Sequence, residues 1–134
     1  MKAQVKWIGE EMFVGISESG HTIVLDANNA NLAPSPLENI LISLGACSSV
    51  DVVSILKKTR QVIQDCTVEI LGTRVDTVPK LFSDIHLHFI ITGSNVADKH
   101  VKKAVSMSAD KYCSVALMLN KSVNITHDYE IIEA

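Results

Sequence analysis

Three cysteines, Cys47, Cys66 and Cys113, are the nucleophilic side chains of this sequence. Cys47 lies in the run Gly45-Ala46-Cys47-Ser48-Ser49, and Cys113 lies in Lys111-Tyr112-Cys113-Ser114-Val115. Both fall on apolar faces of predicted helices, so packing of those helices would bring the thiols together. Such a pair performs redox chemistry when one thiol is a low-pKa thiolate and the other resolves its oxidised form. Their separation of 66 residues leaves open whether their Cα atoms approach within the ~7 Å that a disulfide needs. Asp51, one helical turn after Cys47, opposes ionisation there, and both cysteines are expected mid-helix, where the dipole contributes little. The competing reading makes all three small core residues, because free cysteine is among the most buried residue types. Cys66, following Gln64-Asp65 at a strand start, reads as structural.

Histidines offer less. His86 and His88 share one strand face at i, i+2, a spacing found in some metal sites, but the sequence supplies no third clustered ligand. His21, His100 and His127 are isolated. No metal and no cofactor is expected. Walker, GxGxxG, GxSxG and HExxH patterns are absent, so nucleotide and hydrolase chemistry have no positive support.

The elements that must position the thiols follow from periodicity. Lys2–Ile8, Met12–Glu18 and His21–Asp26 alternate as three strands of an antiparallel meander. A polar connection then leads to Pro34 and Pro36, which open a long helix over residues 36–59. Ser35 is suited to its N-cap, Pro36 to its first turn, and Glu38 to the positive end of the dipole. Leu37, Ile40, Leu41 and Leu44 form an apolar stripe. Lys57, Lys58 and Arg60 place cations at its C-terminal end. At about 24 residues the helix spans ~36 Å and needs cover on several sides, most simply from a second copy of the chain. Residues 66–75 and 81–92 read as two further strands, 98–120 as a second long helix, and 123–132 as a closing strand. Strand pairs separated by helices, in the order βββ-α-ββ-α-β, predict an α+β fold in a single domain over residues 1–134.

Composition narrows the partners. The chain has 134 residues, 47% of them hydrophobic, 4% aromatic and 20% charged. That length supports one core burying roughly two-thirds of the unfolded surface, and the core is aliphatic. A net charge of −3 argues against nucleic acid, which selects basic patches. No apolar run was read as reaching the ~20 residues of a membrane span, and the first residues alternate like a strand rather than a signal peptide. The expectation is a cytoplasmic protein.

The stretches APSPLENILISLGACSSVDVVSIL, RQVIQDCTVEI, PKLFSDIHLHFIITG and SADKYCSVALMLNKSVNITHDYEI cover most of the chain. Together they resemble the OsmC/Ohr family of small thiol-dependent peroxidases, and within it most closely the YhfA-like branch of redox proteins. The resemblance implies antiparallel sheets wrapped around two long central helices in an intertwined homodimer. It implies Cys47 as the nucleophile and Cys113 as the resolving thiol. Organic hydroperoxides, or other small apolar oxidants, become the substrates and an unidentified dithiol the reductant. Glu38 becomes the polar partner of the thiols. Two positions depart from the family pattern: no arginine precedes Arg60, and Leu37 stands where a glutamate is usual, with Glu38 one residue later. Lys6 or another cation is the expected substitute, though lysine lacks the planar fork of arginine. The alternative function is a non-enzymatic dimeric binding or scaffold protein with unactivated cysteines.

Overall fold

The computed structural model describes residues 1–134, arranged in two compact units, Met1–Ile40 and Leu41–Ala134. In the first unit, β1 (Ala3–Gly9), β2 (Met12–Ser17) and β3 (Thr22–Asp26) form an antiparallel meander in that order. The β1–β2 turn places Gly9 at φ 116° and Glu10 at φ 49°, left-handed conformations that glycine adopts without a Cβ penalty. The polar stretch after β3 is organised by Asp26, only 2% exposed. Its carboxylate accepts the backbone N–H groups of Asn28 at 2.7 Å and Leu32 at 2.9 Å. A buried carboxylate is tolerated there because backbone donors satisfy it.

The long helix α1 (Pro36–Lys58) starts with a capping box. Ser35 Oγ accepts the N–H of Glu38 at 3.2 Å, and Glu38 Oε1 accepts the N–H of Ser35 at 3.0 Å, so two orphan donors are satisfied reciprocally. At its other end Arg60 adopts φ 61°; its N–H bonds the Lys57 carbonyl while the Gln61 N–H bonds that of Leu56. This is a Schellman closure with arginine where glycine is usual. Contrary to the sequence expectation, α1 is long and apolar enough by length and composition to cross a membrane. Its buried residues Leu44, Val52 and Leu56 instead join the core of the second unit. Each fully buried side chain of this size contributes about 1.5–3 kcal/mol.

The second unit carries a sheet in the order β4 (Val62–Arg74), β5 (Phe82–Ser94), β6 (Asn124–Glu133). β5 supplies Ile85, Leu87, Phe89 and Ile91 to the core in strict alternation, the period of a sheet with one covered face. β4 and β5 pair antiparallel, as expected. The β5–β6 pair departs from the all-antiparallel expectation: it is parallel, with Leu87 opposite His127. The helical connection between the strands is long enough for the crossover that parallel pairing needs.

The second helix is also not continuous. α2 (Asp98–Met107) passes into a π-helical turn at Ser108–Tyr112, the chain is extended at Cys113, and α3 (Ser114–Leu119) begins afresh. Cys113 has ψ 103°, which ends the helical ladder. Apolar residues on both sides of the break kept helical spacing, so periodicity alone ran the two helices together.

Candidate active site

Cys113 was expected mid-helix; it is the N-cap of α3. Its sulfur accepts the Ala116 N–H at 3.4 Å, the role a serine or aspartate oxygen ordinarily plays. Its own N–H closes the π-turn on the Ser108 carbonyl at 2.9 Å. A π-turn re-aims the residues after it by inserting one extra position into the helix, and such turns recur at functional sites. Here it aims a fully buried thiol at α1.

On α1 the facing residues are Cys47 and Ser48. Ser48, 1% exposed, donates its hydroxyl to Cys113 Sγ at 3.4 Å. The thiols of Cys47 and Cys113 are near each other. The small-residue run Gly45–Ser49 allows close packing at this point. A Cβ on Gly45 would collide with the Ile70 side chain of β4, so glycine sets how closely helix and sheet approach.

A second polar layer lies behind the pair. Ser108 Oγ, also 1% exposed, is 3.1 Å from Asp51 Oδ2 and 3.3 Å from the Ser48 carbonyl oxygen. Its single proton can be given to either acceptor. Asp51 is thereby tied to the π-turn. All three polar side chains that reach this layer have partners, as buried polar groups require.

Burial is the main cause that pushes the Cys113 thiol above its ordinary value. The donors Ser48 and Ala116 pull it down, while the hydrogen bond to Cys47 and the charge there push it further up. Burial thus favours the protonated form of Cys113. Cys47 is half-buried, whereas Cys113 is wholly inaccessible, so an oxidant from solvent meets Cys47 first. The donors to Cys113 are neutral; none is an arginine or lysine. The arrangement suits formation of a disulfide after attack at Cys47.

The other residues singled out in the sequence fall elsewhere. Glu38 serves the α1 cap through Ser35. Cys66 lies within β4, opposite Ile91, and is half-buried; burial first, then Asp65, raises its pKa. His86 and His88 lie on the exposed face of β5 and do acquire a neighbour that sequence could not supply. Asp128 of β6 reaches His86 Nε2 at 3.0 Å and His88 Nδ1 at 2.6 Å. These side chains bond one another, and no three potential ligands are arranged to hold a metal. Ser48, Asp51 and Ser108 were missed as a network. The available signal was polar residues recurring inside apolar helical stripes.

Comparison with known proteins supplies a frame for this geometry. The OsmC-like protein family model matches residues 28–128. The chain is 52% identical to Protein YhfA of Escherichia coli strain K12, over 134 residues that cover 100% of both chains. A hypothetical protein from Aquifex aeolicus VF5, solved by crystallography, superposes with a TM-score of 0.88 at 31% identity, covering 99% of this chain and 96% of that one. The organic hydroperoxide resistance protein OhrB of Bacillus subtilis superposes with a TM-score of 0.67 at 14% identity, covering 97% and 98%, a likeness of fold alone.

Proposed function

Because this chain belongs to the OsmC-like family, whose members are redox and peroxide-resistance proteins, we propose that it is a thiol-dependent reductase of organic hydroperoxides or related small apolar oxidants. The observation that carries this reading is the proximity of partly buried Cys47 to fully buried Cys113.

The reaction balances on those two sulfurs. The Cys47 thiolate attacks the distal peroxide oxygen; the O–O bond breaks and the leaving alkoxide takes a proton to become the alcohol. Cys47 is then a sulfenic acid. Cys113 attacks that sulfur, the S–O bond breaks, and water leaves with the Cys113 proton. An external dithiol reduces the disulfide by exchange and is itself oxidised. Ser48 and Ala116 hold the Cys113 sulfur toward Cys47 throughout. Glu38 enters this reading through the helix start, where its carboxylate fixes the first turn of the helix that carries Cys47. Without the arginine that the family pattern places in the N-terminal strands, turnover should be slower than in members that carry it.

In this reading all 134 residues act as one functional domain, and the working form is a cytoplasmic homodimer. Ile42, Ala46 and Val50 recur at i, i+4, i+8 on α1 and are exposed in the single chain, Val50 at 69%. An exposed apolar stripe on a helix this long favours cover by a second copy. The test is a peroxidase assay with cumene hydroperoxide and a dithiol. Cys47→Ser should abolish consumption, and full activity in that variant would end the proposal.

A further inference from the structure

Between α1 and α2 lies a cavity of about 510 Å³. Its size falls within the range of small-molecule sites. The two helices run antiparallel around it and are pinned at both ends. Ser108 meets Asp51 at one end, and Gln61 Oε1 accepts the Ala97 N–H at 2.9 Å at the other. Between the pins each helix shows one face to the space. α1 contributes Asp51, Ile55 and Lys58 at i, i+4, i+7, and α2 contributes His100, Lys103 and Met107 at i, i+3, i+7. These spacings normally carry the apolar stripes that close two helices together. Here they carry lysines and a histidine, and the helices stay apart.

The lining is asymmetric along its length. Lys58 and His100 lie toward the Gln61–Ala97 end, and Lys103 lies about midway along α2. Neither ammonium is paired with a carboxylate, since the salt bridges of this chain lie elsewhere. Ile55 and Met107 form the apolar wall, and Asp51 at the far end is engaged by Ser108. Asp51 to Lys58 is seven residues, or ~10 Å along the helix. Unpaired cations lining a half-apolar slot, in a chain whose net charge is −3, mark a local reversal of sign.

We propose that this cavity binds an amphipathic organic anion, with its carboxylate or equivalent head between Lys58 and Lys103 and its apolar body along Ile55 and Met107. The site is distinct from the thiol pair and does not require that pair to be reactive. The ligand is held by its charge and its length, so a cation with the same tail is rejected.

The test is titration calorimetry of decanoate into the full-length reduced protein, with decyltrimethylammonium as the tail-matched cation. Decanoate should bind saturably and the cation should not. Lys58→Glu combined with Lys103→Glu should weaken decanoate at least tenfold, while Lys121→Glu, outside the cavity, leaves it unchanged. Met107→Ala should weaken it through the tail. Thermal melts of each variant separate a lost site from a lost fold, which exposed lysine substitutions leave intact. No binding of decanoate, equal binding of both amphiphiles, or indifference to the double charge reversal would each overturn the proposal. The peroxidase assay is unaffected by these outcomes, so the two readings fail separately.

Discussion

Ser48 Oγ donates to Cys113 Sγ at 3.4 Å, from the residue adjacent to Cys47. One turn of α1 therefore carries both Cys47 and the group that orients the Cys113 sulfur near it. The serine is buried and its hydroxyl has this acceptor, so removing it leaves the Cys113 sulfur with the Ala116 N–H as its remaining donor. Ser48→Ala should cost about 1 kcal/mol of stability, the net worth of one buried hydrogen bond. It should also move the Cys113 thiol to a still higher pKa, because Ser48 is one of the groups that lowers it. Alkylation of Cys113 against pH, read by mass spectrometry, checks the direction; an unchanged or lowered midpoint would contradict it.

Gly45 sets the separation of α1 from β4, since any Cβ there meets the Ile70 side chain. Gly45→Val should destabilise by about 1–3 kcal/mol through overpacking. Gly45→Ala should cost less, because the obstructing atom is the mobile end of isoleucine. Urea unfolding of the two variants gives the comparison, and a valine variant as stable as wild type would show that α1 can move off the sheet freely.

Arg60 closes α1 at φ 61°, a conformation that costs a side-chain-bearing residue about 1–2 kcal/mol. Arg60→Gly should therefore raise stability by about 1 kcal/mol while leaving the Schellman bonds in place. The expected readout is a higher denaturation midpoint at unchanged slope. A fall in the midpoint would mean that the guanidinium has a role worth more than the strain.

His88 donates to Asp128 and lies 3.4 Å from Glu130, and the Asp128 hydrogen bond leads the causes that raise its pKa above 6.5. Asp128 is lowered below 3.8, mainly by the same bond. A raised imidazole stabilises the fold below its ordinary value and loses that contribution as pH rises through the folded value. A lowered carboxylate contributes above its ordinary value and loses it as pH falls through the folded one. Both contributions are present between 3.8 and 6.5, the ordinary values of the two groups. Asp128→Asn should bring the His88 titration back toward 6.5, and NMR of the imidazole protons would show it. A wild-type midpoint at or below 6.5 would refute the clasp.

These sites show where sequence reading succeeds and where it stops. The alternation of β5, the N-cap at Ser35 and the place of Glu38 in the first turn are local patterns, and all are present where expected. Cys47 and Cys113 also lie near each other, as packing of their elements was expected to bring them. The π-turn at Ser108–Tyr112 was invisible, because Val105, Ala109, Tyr112 and Ala116 keep near-helical spacing on either side of the inserted residue. The Asp128–His88 contact depends on a parallel strand register that no local pattern encodes. The sequence reads Asp51 as a charge opposing ionisation of Cys47; its hydrogen bond from Ser108 comes from a residue 57 positions away.

The most direct test of the central claim is peptide mapping after one equivalent of cumene hydroperoxide is added to the fully reduced protein. A Cys47–Cys113 disulfide should form with one alcohol released per bond, while Cys66 stays alkylatable once the protein is unfolded. If both Cys47 and Cys113 remain free thiols and the hydroperoxide is unconsumed, the pair is a packing contact and not a redox site.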